Sequence, residues 1–510
     1  MQQNANTQQP TPQQVFKEAH QLLRVGDVYE ASRRAGKLRA HFPDDTPILA
    51  LHGITLAKMG IHAQALSDLI RAGRQTEEAL KNDEEGNPAR PRIVDQLIRV
   101  SVQICRSSLA INAYPAAEEA IENALQWDPD RADAVAAKAE LLAALGQRDE
   151  AYKLIAQGFE DHLDAMPLTL AKARLLLGDE HASEDQLREI IPPLETEAGV
   201  AGLPVPELGD LLRALGMVHD RLGQHDEAFN AFRRAARLRR DRYDPRHYTT
   251  MTTKIITEWS LDNMKKLVKP DHSGQAHTLI LGAPMSGVAQ LGEMLGDFNA
   301  CTMLGPLETL TLVGVQHLGA RQGVLRPVPL EPTALRGKQL RDAGQVYMQQ
   351  TEAIAGDAGS VRLDTHPHNI PLAGAAAVML PGVNIVVCRR DPLDAALACY
   401  CDAMAGNHPY ASDLLNTAAF VADSNRMLDH WAHTLGDDSI GANIVEVQYH
   451  ELANDPQQTA ARVANAIGVE SPSPDEIERI PAFPAGPGTH PDAYRNYTKQ
   501  IRDLLEPAGA

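Results

Sequence analysis

The sequence predicts an α-solenoid followed by an α/β domain on a mostly parallel, P-loop-like sheet. Three observations predict it. A Gly-x4-Ala signature recurs at a spacing of 34 residues in the first half; the period vanishes after about residue 246; and beyond residue 276 apolar strands alternate with helices. The expected divisions are a disordered tail over 1–13, the solenoid over 14–246, a linking helix and loop over 247–275, and the α/β domain over 276–510.

The opening stretch MQQNANTQQPTPQQ is polar and lacks the basic and apolar regions of a signal peptide. Beyond it, GDVYEA (Gly26–Ala31) recurs as GIHAQA (Gly60–Ala65), and NAYPAA (Asn112–Ala117) as GQRDEA (Gly146–Ala151), each 34 residues on. Further copies are expected at Gly178 and at GQHDEA (Gly223–Ala228), with Pro43 and Pro129 placed where second helices stop. The charged, Pro- and Gly-containing stretch 75–95 is expected as an inserted loop. Paired amphipathic helices at this period resemble the tetratricopeptide repeat. In such a repeat the Gly lets the first helix turn tightly, and the Ala lets the two helices pack closely. The resemblance implies a curved stack whose concave face holds a protein or peptide.

A linking helix is expected at about 247–268, ending at Pro270–Gly274. The strand Thr278–Leu281 then runs into the turn Gly282–Gly287 and a helix with Leu291, Met294 and Leu295 on one face. Strand, small-residue turn and helix together aim backbone N–H groups at a phosphate. No Lys, Arg, Ser or Thr stands between Gly287 and Gly296, so Ser286 is the one hydroxyl left to that turn. A second strand, Asn384–Cys388, leads through Arg389, Arg390, Asp391 and Pro392 to a helix over Leu393–Met404. A third, Asn443–Val447, leads through Tyr449–Leu452 to a helix over Pro456–Ile467. Ligands bind such sheets at the carboxyl ends of the strands, where the 282–287 turn and Arg389/Arg390 belong.

Composition excludes several classes. Over 510 residues the formal net charge is −19, with 67 acidic and 48 basic residues, which argues against nucleic-acid binding. The basic run Arg233, Arg234, Arg237, Arg239, Arg240 and Arg242 reads as a solvated helix end. Five cysteines without zinc-ligand spacing fit a reducing compartment, with Cys399 and Cys401 as core residues. No apolar run is long enough to span a bilayer, and a cytoplasmic protein is expected.

The stretches LILGAPMSG, RLDTHPHNIPLAG, LPGVNIVVCRRDPLDAALACY, RMLDHWAHTLG, IVEVQYHELANDP and YRNY, in this order, resemble a sulfotransferase domain of the kind fused to tetratricopeptide repeats in bacteria. The resemblance implies 3′-phosphoadenylyl sulfate as donor and a hydroxyl as acceptor. Pro284, Ser286 and Gly287 match the family's donor loop, and Arg390 matches its 3′-phosphate-binding arginine. Other positions depart. Met285 stands where the family has Arg or Lys, Val288 and Ala289 where it has Thr, Ala398 where it has Ser, and Thr365 where it has Lys. The nucleotide-wrapping C-terminal segment, with its Thr-x-Ser and arginine, has no counterpart in PAFPAGPGTHPDAYRNY.

Sulfuryl transfer builds charge on the leaving oxygen and requires a base for the acceptor hydroxyl. Glu308 is the candidate base by its place after a glycine, against the alternative of a helix N-terminal carboxylate. Arg389 and Arg390 are candidate anion contacts, against structural pairing with Asp391 or Asp394. His366 is a further base candidate; with His368 it could also be read as a metal pair, but the expected reading is a hydrogen-bonded loop residue and no metal. Trp431 and Tyr449 are expected in the core. Two functions stay open: a sulfotransferase acting on a partner brought by the solenoid, and a non-catalytic pseudo-sulfotransferase scaffold. A P-loop nucleotide hydrolase fits less well, because the turn lacks the Gly-Lys-Ser/Thr ending.

Overall fold

The computed structural model describes residues 11–83, 87–239, 243–319, 330–356, 360–402, 408–469, 473–478, 480 and 492–505. Residues 1–10 of the expected tail, Arg240–Arg242 of the basic run and 481–491 of the C-terminal segment lie outside the described residues. The described residues of Met1–Arg242 with Tyr400–Ser412 form one compact unit, and those of Tyr243–Cys399 with Asp413–Ala510 form another.

The first unit is a stack of antiparallel helix pairs. They are α1 (Pro12–Arg24) with α2 (Val28–His41), α3 (Thr46–Lys58) with α4 (His62–Lys81), and α5 (Arg90–Leu109) with α6 (Tyr114–Trp127). Then come α7 (Ala132–Ala144) with α8 (Arg148–Glu160), α9 (Ala165–Leu177) with α10 (Glu184–Ala198), and α11 (Val205–Arg221) with α12 (His225–Leu238). Helix α1 starts at Pro12 under a reciprocal cap from Thr11 and Gln14. The periodic Gly has a backbone reason. Gly26, Gly60, Gly146 and Gly223 turn the chain with φ of 81°, 77°, 79° and 71°, a left-handed conformation that costs a side chain about 1–2 kcal/mol. Asn112 takes the same role at φ 57°, a conformation that Asn adopts more readily than most residues with a Cβ. The periodic Ala has a packing reason: Ala31, Ala65, Ala117, Ala151 and Ala228 are fully buried between paired helices.

Two local expectations are corrected. Gly178 has φ −85°, and α10 starts only at Glu184 under a Ser183–Gln186 capping box, so this pair has a longer turn. The loop expected over 75–95 shrinks to 82–89, because α4 and α5 are each 20 residues long. Charge there supports helix instead of breaking it: Glu77 and Lys81 pair at 2.7 Å one turn apart, and Thr76 and Leu80 are buried.

The second unit holds five parallel strands: β1 (His277–Gly282), β2 (Cys301–Gly305), β3 (Val361–Asp364), β4 (Asn384–Arg389) and β5 (Asn443–Gln448). Their order across the sheet is β2-β3-β1-β4-β5. The register pairs Gly282 with Cys388, Leu279 with Asp364, Asp364 with Gly305, and Arg389 with Gln448. The chain leaves β1 towards β2 and leaves β4 towards β5, so the topological switch point falls between β1 and β4.

Helices cover both faces. On one, α13 (Pro245–Glu258), α14 (Leu261–Met264), α17 (Gly337–Ala355), α18 (Ala373–Met379) and α20 (Leu414–Leu435) cover Leu279, Leu281, Ile385 and Val387. On the other, α15 (Val288–Gly296) and α22 (Pro456–Ala466) cover Ile280, Val386, Leu363 and Val447. Shorter helices are α16 (Thr309–Val313), which continues as a π-turn to Leu318, α21 (Tyr449–Asn454) and α23 (Pro474–Glu478). Helix α19 (Pro392–Asp402) follows β4, and α24 (Arg495–Leu505) closes the described chain. The expected linking helix is two pieces, α13 and α14, and it is not a spacer. Ile255, Trp259 and Met264 are buried in the sheet core, and Trp259 packs edge-on against Trp431 at 6.5 Å. Among the described residues no helix is long and apolar enough to cross a membrane.

Candidate functional site

The carboxyl ends of β1, β3, β4 and β5 bring the sequence-predicted residues to one edge of the sheet. After β1 the chain makes a tight turn in which Met285 (φ 62°) and Gly287 (φ 90°) are both left-handed. Gly287 is the N-cap of α15 and is flanked by α21: a Cβ there would lie 2.9 Å from Leu452 Cδ1 and 3.4 Å from the Tyr449 ring. Gly282 is forced by the turn itself, since a Cβ would fall 2.1 Å from Ser286 Oγ and 3.0 Å from the Cys388 carbonyl. Ser286 is 1% exposed, and its Oγ has no hydrogen-bond partner among the described residues. Pro284 is buried, Met285 and Val288 are half-buried, and Ala289 is exposed.

The two arginines after β4 go different ways. Arg389 pairs with Asp429 at 2.8 Å and Glu446 at 3.0 Å, not with Asp391 or Asp394. Asp391 instead accepts from the Leu393 and Asp394 amides, capping α19. Arg390 is 9% exposed, donates from Nη1 to the Met285 carbonyl at 2.8 Å, and lies 4.1 Å over the Tyr449 ring. Its Nε has no partner among the described residues. Tyr449, expected in the core, is half-buried and works as the face that carries Arg390. Trp431 is a core residue as expected, with Nε1 donating to the Ile370 carbonyl at 2.7 Å.

The residues after β3 pack inward. Thr365 is 5% exposed, and its methyl sits where a Cβ on Gly292 of α15 would be 2.6 Å away. His366 Nδ1 accepts from the His368 amide at 3.2 Å. Burial, with His368 adding, pushes the His366 imidazole down to about 3, so it is neutral. Among the described residues no group of three or more His, Cys, Asp or Glu could hold a metal ion. Ala398 is fully buried in α19. Glu308 is the N-cap of α16, where its side chain makes no cap hydrogen bond, and burial raises its carboxyl.

Sequence reasoning missed the buried carboxyl beside these residues. Asp364 accepts from the His366 amide at 3.0 Å and from the Tyr347 hydroxyl at 3.0 Å. Burial pushes its carboxyl up to about 6 against those hydrogen bonds. Asp364 thus ties α17, through Tyr347, to the turn holding His366. The signal available was an acid ending a short apolar strand, which alone does not separate a buried carboxyl from a solvated one.

A sulfotransferase-family model matches residues 278–473, and a tetratricopeptide-repeat model matches residues 109–175. The chain therefore carries a tetratricopeptide-repeat region followed by a sulfotransferase-family domain. A protein of Aquifex aeolicus (strain VF5), described as uncharacterized, is 22% identical over 329 residues. That match takes in 62% of this chain and 41% of the relative, so the chain spans less than half the curated relative's length. Among solved structures, yeast Tom70 is similar at 18% identity over 45% of this chain and 44% of its own, with a TM-score of 0.30. Sulfotransferase STF9 from Mycobacterium avium is similar at 13% identity over 64% of this chain and 98% of its own (TM-score 0.27). Sulfotransferase STF1 from Mycobacterium tuberculosis H37Rv is similar at 15% identity over 66% and 97% (TM-score 0.27).

Proposed function

We propose that this chain, with its tetratricopeptide-repeat region and sulfotransferase-family domain, uses the repeats (14–246) to recruit a protein or peptide. The α/β domain (276–510) then serves as a binding scaffold whose site for 3′-phosphoadenylyl sulfate is degenerate.

One observation carries the reading: the guanidinium of Arg390, the best surviving anion contact, is already held by the Met285 carbonyl and the Tyr449 ring. Its neighbours add support. Met285 brings no cation, Thr365 is packed onto Gly292, Ala398 is buried in its helix, and Arg389 is spent on two carboxylates. The residues present do not fit a doubly phosphorylated nucleotide. Each absent charge-assisted contact weakens binding by about 1.5–3 kcal/mol, so several together weaken it by about 4 kcal/mol or more, roughly a thousandfold.

Calorimetric titration of the full chain with 3′,5′-adenosine bisphosphate tests this. The expected result is no heat at millimolar nucleotide. Submillimolar binding that Arg390→Ala abolishes overturns the scaffold reading. The recruiting role is tested separately, by capture on the immobilised full chain, and retention no greater than on bare matrix removes it.

A second reading, a transferase with Ser286, Gly287 and Arg390 on the donor and Glu308 as base, is favoured by one specific observation. Ser286 Oγ and Arg390 Nε are buried at the switch point without partners among the described residues. Native proteins keep few such groups, each costing about 1–3 kcal/mol, unless something meets them.

A further inference from the structure

The inner side of the repeat unit is not an open trough, because its first and last helix pairs meet. The turn at Gly26, between α1 and α2, packs against Val205, the first residue of α11. A Cβ on Gly26 would lie 2.8 Å from Val205 Cγ1 and 3.8 Å from the Leu238 carbonyl at the end of α12. That contact is small and apolar.

Around it stand charges of opposite sign from opposite ends of the stack. Arg24 lies in the last turn of α1 and Lys58 in the last turn of α3, while Glu207 lies in the first turn of α11. Each sign suits its own helix terminus. Lys58 acts electrostatically on both Glu207 and Asp210, and Arg24 acts on Glu207. Burial raises the Glu207 carboxyl, and Asp210 and Asp164 push it further up, while Lys58 and Arg24 from the first two pairs oppose that rise. Burial works against Asp210 too, but Arg213, then Lys58 and Arg174, hold its carboxyl below the usual range.

Charges also pair along the stack at equivalent repeat positions. Arg106 and Arg174, one repeat to either side of Glu140, reach it at 3.4 Å and 2.6 Å. Their side chains are 36% and 43% exposed, so these pairs reach solvent. Arg174 in turn acts on Asp210.

We propose that Arg24 and Lys58 on the first two helix pairs, with Glu207 and Asp210 on the last, form an electrostatic clasp that shuts the repeat unit into a ring. Opening the clasp admits an occupant to the inner side. That a partner is the occupant rests on the recruiting reading above; the clasp itself does not.

The test is a distance across the closure in the full chain. Gln21→Cys and Ala201→Cys place spin labels on exposed positions of the two ends, and the native cysteines are all buried. Electron–electron resonance in low salt is expected to give one short, narrow distance. Lys58→Glu is expected to raise a longer population about fivefold, and Glu207→Lys with Asp210→Lys to do the same. Combining all three is expected to restore the short distance. Salt at about 1 M is expected to open the unsubstituted clasp, a result that no misfolded variant can mimic. A distance unmoved by salt and by either charge reversal overturns the clasp, as does a combination that fails to restore it. A responsive clasp on a chain that captures no partner leaves the clasp standing and removes recruitment.

Discussion

Arg390 Nη1 donates to the Met285 carbonyl at 2.8 Å, and the same guanidinium lies 4.1 Å over the Tyr449 ring. One side chain after β4 thus joins the turn after β1 to the helix after β5. Arg390→Ala is expected to destabilise the α/β unit by about 2–4 kcal/mol, from a lost charge-assisted hydrogen bond and a desolvated cation–π contact. Arg390→Lys should recover only part, since an ammonium cannot both stack and reach the carbonyl. Guanidinium unfolding followed through the buried Trp259 and Trp431 reads the loss. A change within about 0.5 kcal/mol would mean that Arg390 is held for a ligand and not for the fold.

Met285 supplies the second prediction. Its left-handed φ of 62° costs a residue with a Cβ about 1–2 kcal/mol, which Arg390 offsets by holding the carbonyl. Met285→Gly should therefore leave stability unchanged or raise it by up to about 1 kcal/mol. Met285→Arg should do something different: by returning a cation to the turn it should tighten 3′,5′-adenosine bisphosphate at least about tenfold. Calorimetry with both variants separates the two effects. No gain in nucleotide affinity for Met285→Arg over the parent chain would show that a cation at this turn does not set that affinity.

The pH dependence of stability should contain two opposed limbs. Asp364 sits at about 6 when folded against an ordinary 3.8, so the folded state binds its proton more tightly. Its contribution is complete below the ordinary value and is lost as pH rises through about 6, a change of about 3 kcal/mol. His366 and His277 run the other way, pushed by burial to about 3 and about 4 from 6.5. Their contribution is present above 6.5 and lost as pH falls. Asp364→Asn should remove only the first limb, so that relative to the parent chain it gains about 3 kcal/mol between about pH 4 and 7. Denaturant midpoints taken across that range check it. Parallel curves for the two proteins would refute an elevated Asp364.

Much of the fold could be read from residues whose identity the backbone demands. The left-handed turns at Gly26, Gly60, Asn112, Gly146 and Gly223 recur because few residues take that conformation, and the buried Ala positions recur because helices must close over them. Strands β1, β4 and β5 are apolar, β-branched runs and were legible for that reason. Strands β2 and β3 were not. CTMLG and VRLD are five and four residues long and carry too little alternation to separate from loop. The site was legible as a place and not as a set of contacts. What engages Arg390 is a backbone carbonyl, which leaves no trace in sequence, and a Tyr449 that periodicity assigns to the core. The meeting of Gly26 with Val205 is likewise a sum over the five junctions between successive helix pairs, none of which encodes it alone.

Thr365 makes the last prediction, because it tests whether the lysine that the family resemblance implies at this position can be accommodated. Its methyl fills the gap over Gly292, where a Cβ would meet it at 2.6 Å and the Met303 Cε at 3.0 Å, and its amide donates to the Gly305 carbonyl at 3.2 Å. Helix α15 therefore lies against β2 and β3 at a distance set by a glycine on one side and a threonine on the other. A lysine at 365 must carry its stem through that contact or swing its charge into an apolar face lined by Leu291 and Leu363. Thr365→Lys is accordingly expected to destabilise the unit by more than about 2 kcal/mol, and Gly292→Ala by about 1–3 kcal/mol through the same crowding. The pair should be coupled: in Thr365→Ser, which lacks the methyl, Gly292→Ala should cost markedly less. A double-mutant cycle by chemical denaturation measures this, and additive costs would place the two residues out of contact. If instead Thr365→Lys is tolerated and tightens nucleotide, the neutral lining is a reversible substitution and not a repacked wall.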